Sequence, residues 1–302
     1  MSILFRRGLN DTYTFNEEGN FESGQNYTVY LTGSLNWGLA PMHRITQRGP
    51  FQDGDSDIDF RLDPRVLSLP IVSPCSTFEE HLDRRERLLS IFKPGNDIAR
   101  FRITWFNGVV SKNRSIDVHV VGGLTMDTDS KDYNVRGVVQ LRAADPTWYD
   151  TFSDSEVISA SLFGTPTPYP KTYPVPYGSS TINKTTAINY AGTWLSYPII
   201  QCVGPATNLT IVDGLGHIIN FIDPIPAANT WTIDLRYGAK TVVDQTGLNK
   251  FSSLNINSNL VNWALYPDPA VANGINVIDV SATGNDANTQ VTMTYFARFI
   301  GV

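Results

Sequence analysis

Apolar and polar residues alternate with a period of two along much of this chain. Each such run predicts a strand with one face buried. In "FRITWFNGVV", Phe101, Ile103 and Trp105 fall on one side. Asn107-Gly108 follows, a pair suited to a type I′ hairpin turn because both central residues need positive φ. "SIDVHVV" places Ile116, Val118 and Val120 on one face and Asp117 and His119 on the other, and "VRGVVQL" repeats the period with Val135, Gly137, Val139 and Leu141. From about Ile182 onward the pattern is all strand. "TWTIDLRYG" sets Trp231, Ile233 and Leu235 against Thr232, Asp234 and Arg236. "TQVTMTYFARFIGV" turns Val291, Met293, Tyr295, Ala297 and Phe299 inward and carries the last strand to Val302. Turn signals punctuate this half at Asp213-Gly214, Tyr237-Gly238, Thr246-Gly247 and Asn273-Gly274. Short strands between such turns predict a sandwich or jelly roll.

One segment has the helical period instead. "STFEEHLDRRERLLSIFKPG" predicts a helix over 77–93, with Thr77 as N-cap, Glu80 completing a capping box and Pro94-Gly95 as the stop. Phe78, Leu82, Leu89 and Phe92, widened by Leu88 and Ile91, form the stripe expected to dock on a sheet. Arg84, Arg85 and Arg87 are expected to point mostly elsewhere. Glu79, Glu80, Asp83 and Glu86 neutralise them, which suits solvent or a neighbouring subunit rather than phosphate.

The period breaks at "VQLRAADPTWYD". Asp145-Pro146 ends a strand, because proline has no N–H for the ladder and biases the residue before it to an extended shape. Trp148 and Tyr149 are expected to anchor the exit of the chain on a first domain. "GTPTPYPKTYPVPYGSS" follows, where Pro166, Pro168, Pro170, Pro174 and Pro176 hold the backbone extended and Tyr169, Tyr173 and Tyr177 recur on one side. The expected organisation is a mainly β domain with one helix over 1–150, a stiff crossover over 151–181, and a β-sandwich over 182–302.

Composition sharpens this picture. The chain has 302 residues, room for two domains, and is 41% apolar and 17% charged. No apolar run approaches the length of a membrane-spanning helix. The apolar stretch after Met1 is too short for a secretory signal core, so folding in a cytosol is expected. Cys75 and Cys202, in different predicted domains, read as two free thiols. The net charge of −6 disfavours a nucleic-acid surface. Charge is also uneven: residues 1–150 hold 17 Lys/Arg and 20 Asp/Glu, residues 151–302 only 6 and 9. A second-half surface of Thr, Asn, Ser and backbone suits packing in an assembly.

Candidate chemistry is thin. Gly33-Ser34 with Asp57, Asp59 and Asp117 has the residue types of a nucleotidyltransferase, but the spacing from Ser34 to Asp57 is too long and no helix follows the Gly-Ser turn. "DGDSDID" offers Asp53, Asp55, Asp57 and Asp59 but lacks the glycine and terminal glutamate of a calcium loop, and reads as a solvated acidic loop. His119 beside Asp117 reads as a cross-strand surface pair. No hydrolase or zinc motif is present among the four histidines. No catalytic, cofactor or metal residue is expected.

The order of segments resembles the distal tail proteins of long-tailed phages with flexible, non-contractile tails. "RRERLLSIFKPG" is similar to that family's Arg-Arg…Leu-Leu…Phe-Pro helix, "FRITWFNGVV" to its hairpin with a central glycine, and "VQLRAADPTWYD" to its Ala-Asp-Pro stop. "YPKTYPVPYG" resembles its Pro/aromatic crossover, "INYAGTWLSYPIIQCVGPATNLTI" the opening of its second domain, and "TWTIDLRYG" its Ile-Asp strand. The resemblance implies an N-terminal β-sandwich or barrel-like domain with one helix that closes into a hexameric ring, and a C-terminal galectin-like jelly-roll sandwich at the periphery. It implies an adaptor at the distal end of the virion tail, assembled in the host cytoplasm. Its partners would be its own copies, the tail tube protein, a tail-tip hub or tail-associated protein, and receptor-binding proteins or fibres. DNA would only pass through, Asp53, Asp55 and Asp57 would face that passage, and no membrane would be entered. The sugar-binding signature of galectins is missing: His217 is followed by Ile218-Ile219, and no glutamate follows Trp231. Two other functions stay open at this point, a carbohydrate-binding module in the second half and, more remotely, the nucleotidyltransferase.

Overall fold

The computed structural model describes residues 2–7, 11–17, 28–29, 37–106, 109, 111–126, 133–150, 154–159, 181–286 and 288–302. Among them the chain is mainly β, with one α-helix and antiparallel sheets. It divides into two compact units. Unit 1 comprises residues 1–151 together with 299–302, and unit 2 comprises residues 152–298.

Unit 1 is built around a long strand. The predicted runs become β7 (Ala99–Phe106), β8 (Ser111–Met126) and β9 (Val135–Ala143). β8 spans 16 residues, enough to serve two neighbours. Its first half pairs with β7, Ala99 opposite Val118 through Phe106 opposite Ser111, and its second half pairs with β9, His119 opposite Arg142 through Met126 opposite Gly137. The register shifts at Gly122, whose φ of +97° suits glycine alone. Asn107 and Gly108, the expected turn, lie outside the described residues. β1 (Ser2–Arg7), β2 (Asp11–Glu17), β3 (Thr28–Val29) and β6 (Arg65–Ser73) carry the sheet from β7 round to β9, so it closes on itself. Closure removes open edges. Inside sit Ile3, Phe5, Leu67, Leu69, Ile71, Phe101, Ile103, Ile116, Val118, Val139 and Leu141, all buried.

The helix α1 runs Phe78–Ile91. Thr77 Oγ1 accepts from Glu80 N at 3.2 Å, and Glu80 Oε2 reaches back to Ser76 N at 2.8 Å. The docking stripe differs from the expected one. Leu88, Ile91 and Phe92 are buried, whereas Phe78 (62% exposed), Leu82 (45%) and Leu89 (47%) face out. The line that turns inward runs through His81, Arg84, Leu88 and Ile91, at steps of three and four, so only the C-terminal turns reach the core. Arg84 lies partly inside this line, donating to Glu80 Oε1 at 2.5 Å and to Ser73 Oγ at 3.4 Å.

Unit 2 is a sandwich of two antiparallel sheets. One has the order β11 (Asp154–Ser159), β19 (Gln290–Tyr295), β13 (Ile199–Val203), β16 (Thr230–Asp234), β17 (Thr241–Asp244). The other runs β12 (Thr181–Asn189), β18 (Ile275–Thr283), β14 (Thr207–Val212), β15 (Ile218–Asn220). Alternation fills the space between them: Ile200, Cys202, Trp231, Ile233, Val291 and Met293 from one sheet, Ile182, Ile188, Leu209, Ile211, Ile219, Ile278 and Val280 from the other. The sandwich already begins at β11, within the stretch read as crossover; Tyr169, Tyr173 and Tyr177 lie outside the described residues. At the other end, the expected inward run to Phe299 stops at Ala297. Phe299, in β20 (Arg298–Phe299), packs on the core of unit 1 instead.

Candidate interaction surfaces

The stop motif carries several side-chain contacts in unit 1. Asp145 Oδ1 accepts from Thr147 N at 3.1 Å and from Thr147 Oγ1 at 2.7 Å, a turn that ends β9 ahead of Pro146. The chain then enters β10 (Trp148–Tyr149). Trp148 is fully buried against Phe101, centroids 6.1 Å apart, with the Arg65 guanidinium 5.8 Å from its ring. Arg65 is itself fully buried, because the parity of β6 puts it on the same inward face as Leu67 and Leu69. Its Nη1 donates to Gly38 O at 2.9 Å and its Nη2 to Ile300 O at 2.7 Å, and burial pulls its pKa down to about 10. Tyr149 donates to Asp117 Oδ1 at 2.5 Å, and Arg100 donates to the same oxygen at 3.1 Å while lying 5.4 Å from the Tyr149 ring. Burial, then the nearby Asp117 charge, pushes the Tyr149 phenol upward.

Among the described residues of unit 1, two apolar surfaces stand out as open. One is the exposed side of α1, Phe78, Leu82 and Leu89, with Arg85 and Arg87 on the same helix. The other is a two-stranded ribbon of β4 (Met42–Gln47) and β5 (Ser56–Leu62), which forms its own sheet and is exposed over nearly its whole length. Met42 faces Leu62 and Arg44 faces Phe60 across the strands, so Met42 and Phe60 share a face. Met42, Ile45, Ile58 and Phe60 are all exposed, and Phe51 near the tip is fully so. An isolated two-stranded hairpin is marginal in water. The acidic loop belongs to this ribbon. Asp53 and Asp55 lie exposed near its tip, and Asp57 pairs with Arg44 at 2.9 Å.

Among the described residues the enzyme-like groups lie on different elements. Asp57 and Asp59 lie on the ribbon, Asp117 is engaged by Arg100 and Tyr149 in the closed sheet, and Ser34 lies outside the described residues. His119 stands opposite Arg142. Among the described residues no three of His, Cys, Asp and Glu gather to hold a metal. Both cysteines are free, and burial pushes Cys202 up to about 12, which makes it a poor nucleophile. No helix among the described residues is long and apolar enough to cross a membrane.

In unit 2, Asp213 and Asn276 are buried polar side chains that each have several partners. Asp213 accepts from Leu215 N, His217 N and Ala264 N at 2.8–3.3 Å and pairs with His217 Nδ1 at 2.8 Å. Asn276 accepts from Tyr266 N at 2.8 Å and donates to Tyr266 O and Gly274 O at 2.9 and 3.0 Å. His217 therefore fixes a turn.

Unit 1 is thus a closed β-unit with apolar side chains open to solvent, and unit 2 is a β-sandwich. No family model matches the sequence, and no curated protein matches it. Among solved structures the chain is similar to the Dit protein of phage SPP1, described as a paradigm of the hub adsorption apparatus in phages that infect Gram-positive bacteria. The identity is 13% and the TM-score 0.61, over 91% of this chain and 94% of that one. The chain therefore has the fold of that Dit protein. A chain of the phage P2 baseplate in its activated, calcium-bound conformation aligns over 97% of both chains at 10% identity and a TM-score of 0.42.

Proposed function

We propose that the chain is a structural protein of a phage tail tip, an adaptor that forms a ring, rather than an enzyme. The observation that carries this reading is the likeness to the SPP1 Dit fold across both units. In this reading six copies close a ring through residues 1–150, and the sandwich stands at the ring's periphery as a galectin-like module. The tail tube lies above, the hub or tail-associated protein below, and receptor-binding proteins or fibres outside. The site of action is the distal end of the virion tail, reached by assembly in the host cytoplasm.

The physical driving force is burial. Phe78, Leu82 and Leu89 on α1, and Met42, Ile58 and Phe60 on the ribbon, are apolar groups that a monomer leaves in water and a ring of copies covers. Arg85 and Arg87 supply polar contacts at the helix rim. Asp53 and Asp55 line the passage, where carboxylates repel DNA in transit.

Electron cryomicroscopy of the purified chain and of tails carrying it tests this reading. Six-fold rings, or density for the chain at the tail tip, are expected. Tails that lack the chain at that position, together with micromolar binding of a defined sugar on a glycan array, would replace it with the carbohydrate-binding reading.

A further inference from the structure

β7 turns Arg100, Arg102, Thr104 and Phe106 to the outside of the closed sheet, since the alternate residues Phe101 and Ile103 are buried. The ladder sets Leu4 and Arg6 of β1 opposite Arg102 and Arg100, and Ser115 and Asp117 of β8 opposite the same pair. Asp117 is the one carboxylate among these side chains, and Arg100 and Tyr149 already share it. Arg102 has Leu4 and Ser115 in register beside it, and its Nε is shut away from water without an acceptor. Arg6 and Arg100 face each other directly, and like charges so placed cost a sheet stability. Phe106, at the far end of the row, is exposed.

α1 carries the complement. The helical period places its open stripe of Phe78, Leu82 and Leu89 beside Glu79, Asp83 and Glu86, all three exposed. Leu88, Ile91 and Phe92 pin the helix to the core of its own unit with this stripe turned away, so the stripe is presented to another molecule. We propose that the acidic, apolar face of α1 docks on the arginine face of β1 and β7 in a second copy of this chain. Carboxylates then reach Arg102 and the Arg6–Arg100 pair, while Leu4 and Phe106 meet the apolar stripe. The lengths agree: Phe78 to Leu89 rises about 16 Å along a helix, and Arg100 to Phe106 spans about 20 Å along a strand. The two patches differ, so each copy gives its helix to one neighbour and its sheet to the other, the head-to-tail contact from which rings close. This inference rests on the tail-tip reading, which supplies the second copy.

Charge reversal on the full chain is the test, read by sedimentation at about 100 µM protein in low salt, where charge pairs are least screened. Asp83→Arg with Glu86→Arg reverses the helix, and Arg6→Glu with Arg102→Glu reverses the sheet. The wild type should self-associate, and each double variant alone should do so at least about tenfold more weakly, because like charges then face each other. An equimolar mixture of the two should recover association to within about threefold of the wild type, since reversed helix meets reversed sheet. Arg102→Gln, a milder change, should weaken association by less. A wild type that stays monomeric, or a mixture no stronger than its components, would overturn the proposal. If a double variant loses the wild-type circular dichroism, Arg102→Gln decides, and association as strong as the wild type's sinks the contact. Tails that keep the chain at the tip in six-fold rings with either double variant would overturn this contact and leave the tail-tip reading standing. Recovery on mixing, for a chain absent from the tip, would uphold the contact and remove that reading.

Discussion

The two units solve the same problem, burying polar groups inside β-structure, in different ways. Unit 1 uses arginines against aromatic rings: Arg65 by Trp148, Arg100 by Tyr149, Arg114 by Phe299. Unit 2 has few charges; Lys240 by Tyr197 and Lys250 by Trp231 repeat the cation-on-ring contact, but Asn276 and Asp213 hold their surroundings through neutral or carboxylate oxygens bonded by backbone donors. A planar guanidinium can stack and donate at once, so it joins segments distant in sequence, such as Gly38 and Ile300. An amide side chain completes a local turn. Charge is therefore concentrated in unit 1, where arginine joins distant segments, whereas unit 2 also joins distant segments with hydroxyls, as Ser196 Oγ does by donating to Phe296 O.

The contrast can be broken from either side. Trp148→Ala removes the ring on which Arg65 and Phe101 pack, and should cost unit 1 about 3–5 kcal/mol while leaving unit 2's unfolding transition in place, read by urea denaturation. Asn276→Ala should cost unit 2 about 3 kcal/mol, because it strands Tyr266 N, Tyr266 O and Gly274 O in the interior. A single shared transition shifted equally by both variants would show that the units do not stabilise themselves separately.

A smaller effect follows from pH. The Cys202 thiol ionises at an ordinary value near 9.0 when unfolded, but only at about 12 when buried. Between those values the unfolded state binds fewer protons, so stability falls as pH rises, by about 1.4 kcal/mol per pH unit. Cys202→Ala should flatten that slope in unit 2 and leave unit 1 unaffected. Smallest of all, Arg44→Ala breaks an exposed ion pair with Asp57 and should change stability by about 0.5 kcal/mol or less. A larger loss would mean that the ribbon contributes to unit 1 beyond its own strands.

Legibility in the sequence followed the same divide. Period two reveals the faces of β7, β8, β9, β16 and β19, because each strand covers one core with one face. The capping residues of α1 are equally plain, since a cap is a local contact. The helix's docked face is not, because Phe78, Leu82 and Leu89 form as good a stripe as the one buried, and only the tertiary fold chooses between them. Arg65 was readable but passed over: in "RVLSLPIVS" it shares parity with Leu67, Leu69 and Ile71, which places a cation inside. The ribbon escaped because "MHRITQ" and "SDIDFRL" mix apolar and charged residues on both faces. The return of Phe299 to unit 1 escaped because the alternation from Val291 to Phe299 runs on without a break, and periodicity carries no information about which sheet a face covers.

That return also sets an order of events during synthesis. A ribosome delivers residues 1–151 first, yet the seat beside Gly38 and Arg65 stays vacant until residues 299–302 emerge. The closed sheet of β1, β2, β3, β6, β7, β8 and β9 is encoded by residues up to Ala143, so the returning residues are a late addition to a unit that synthesis can otherwise complete first.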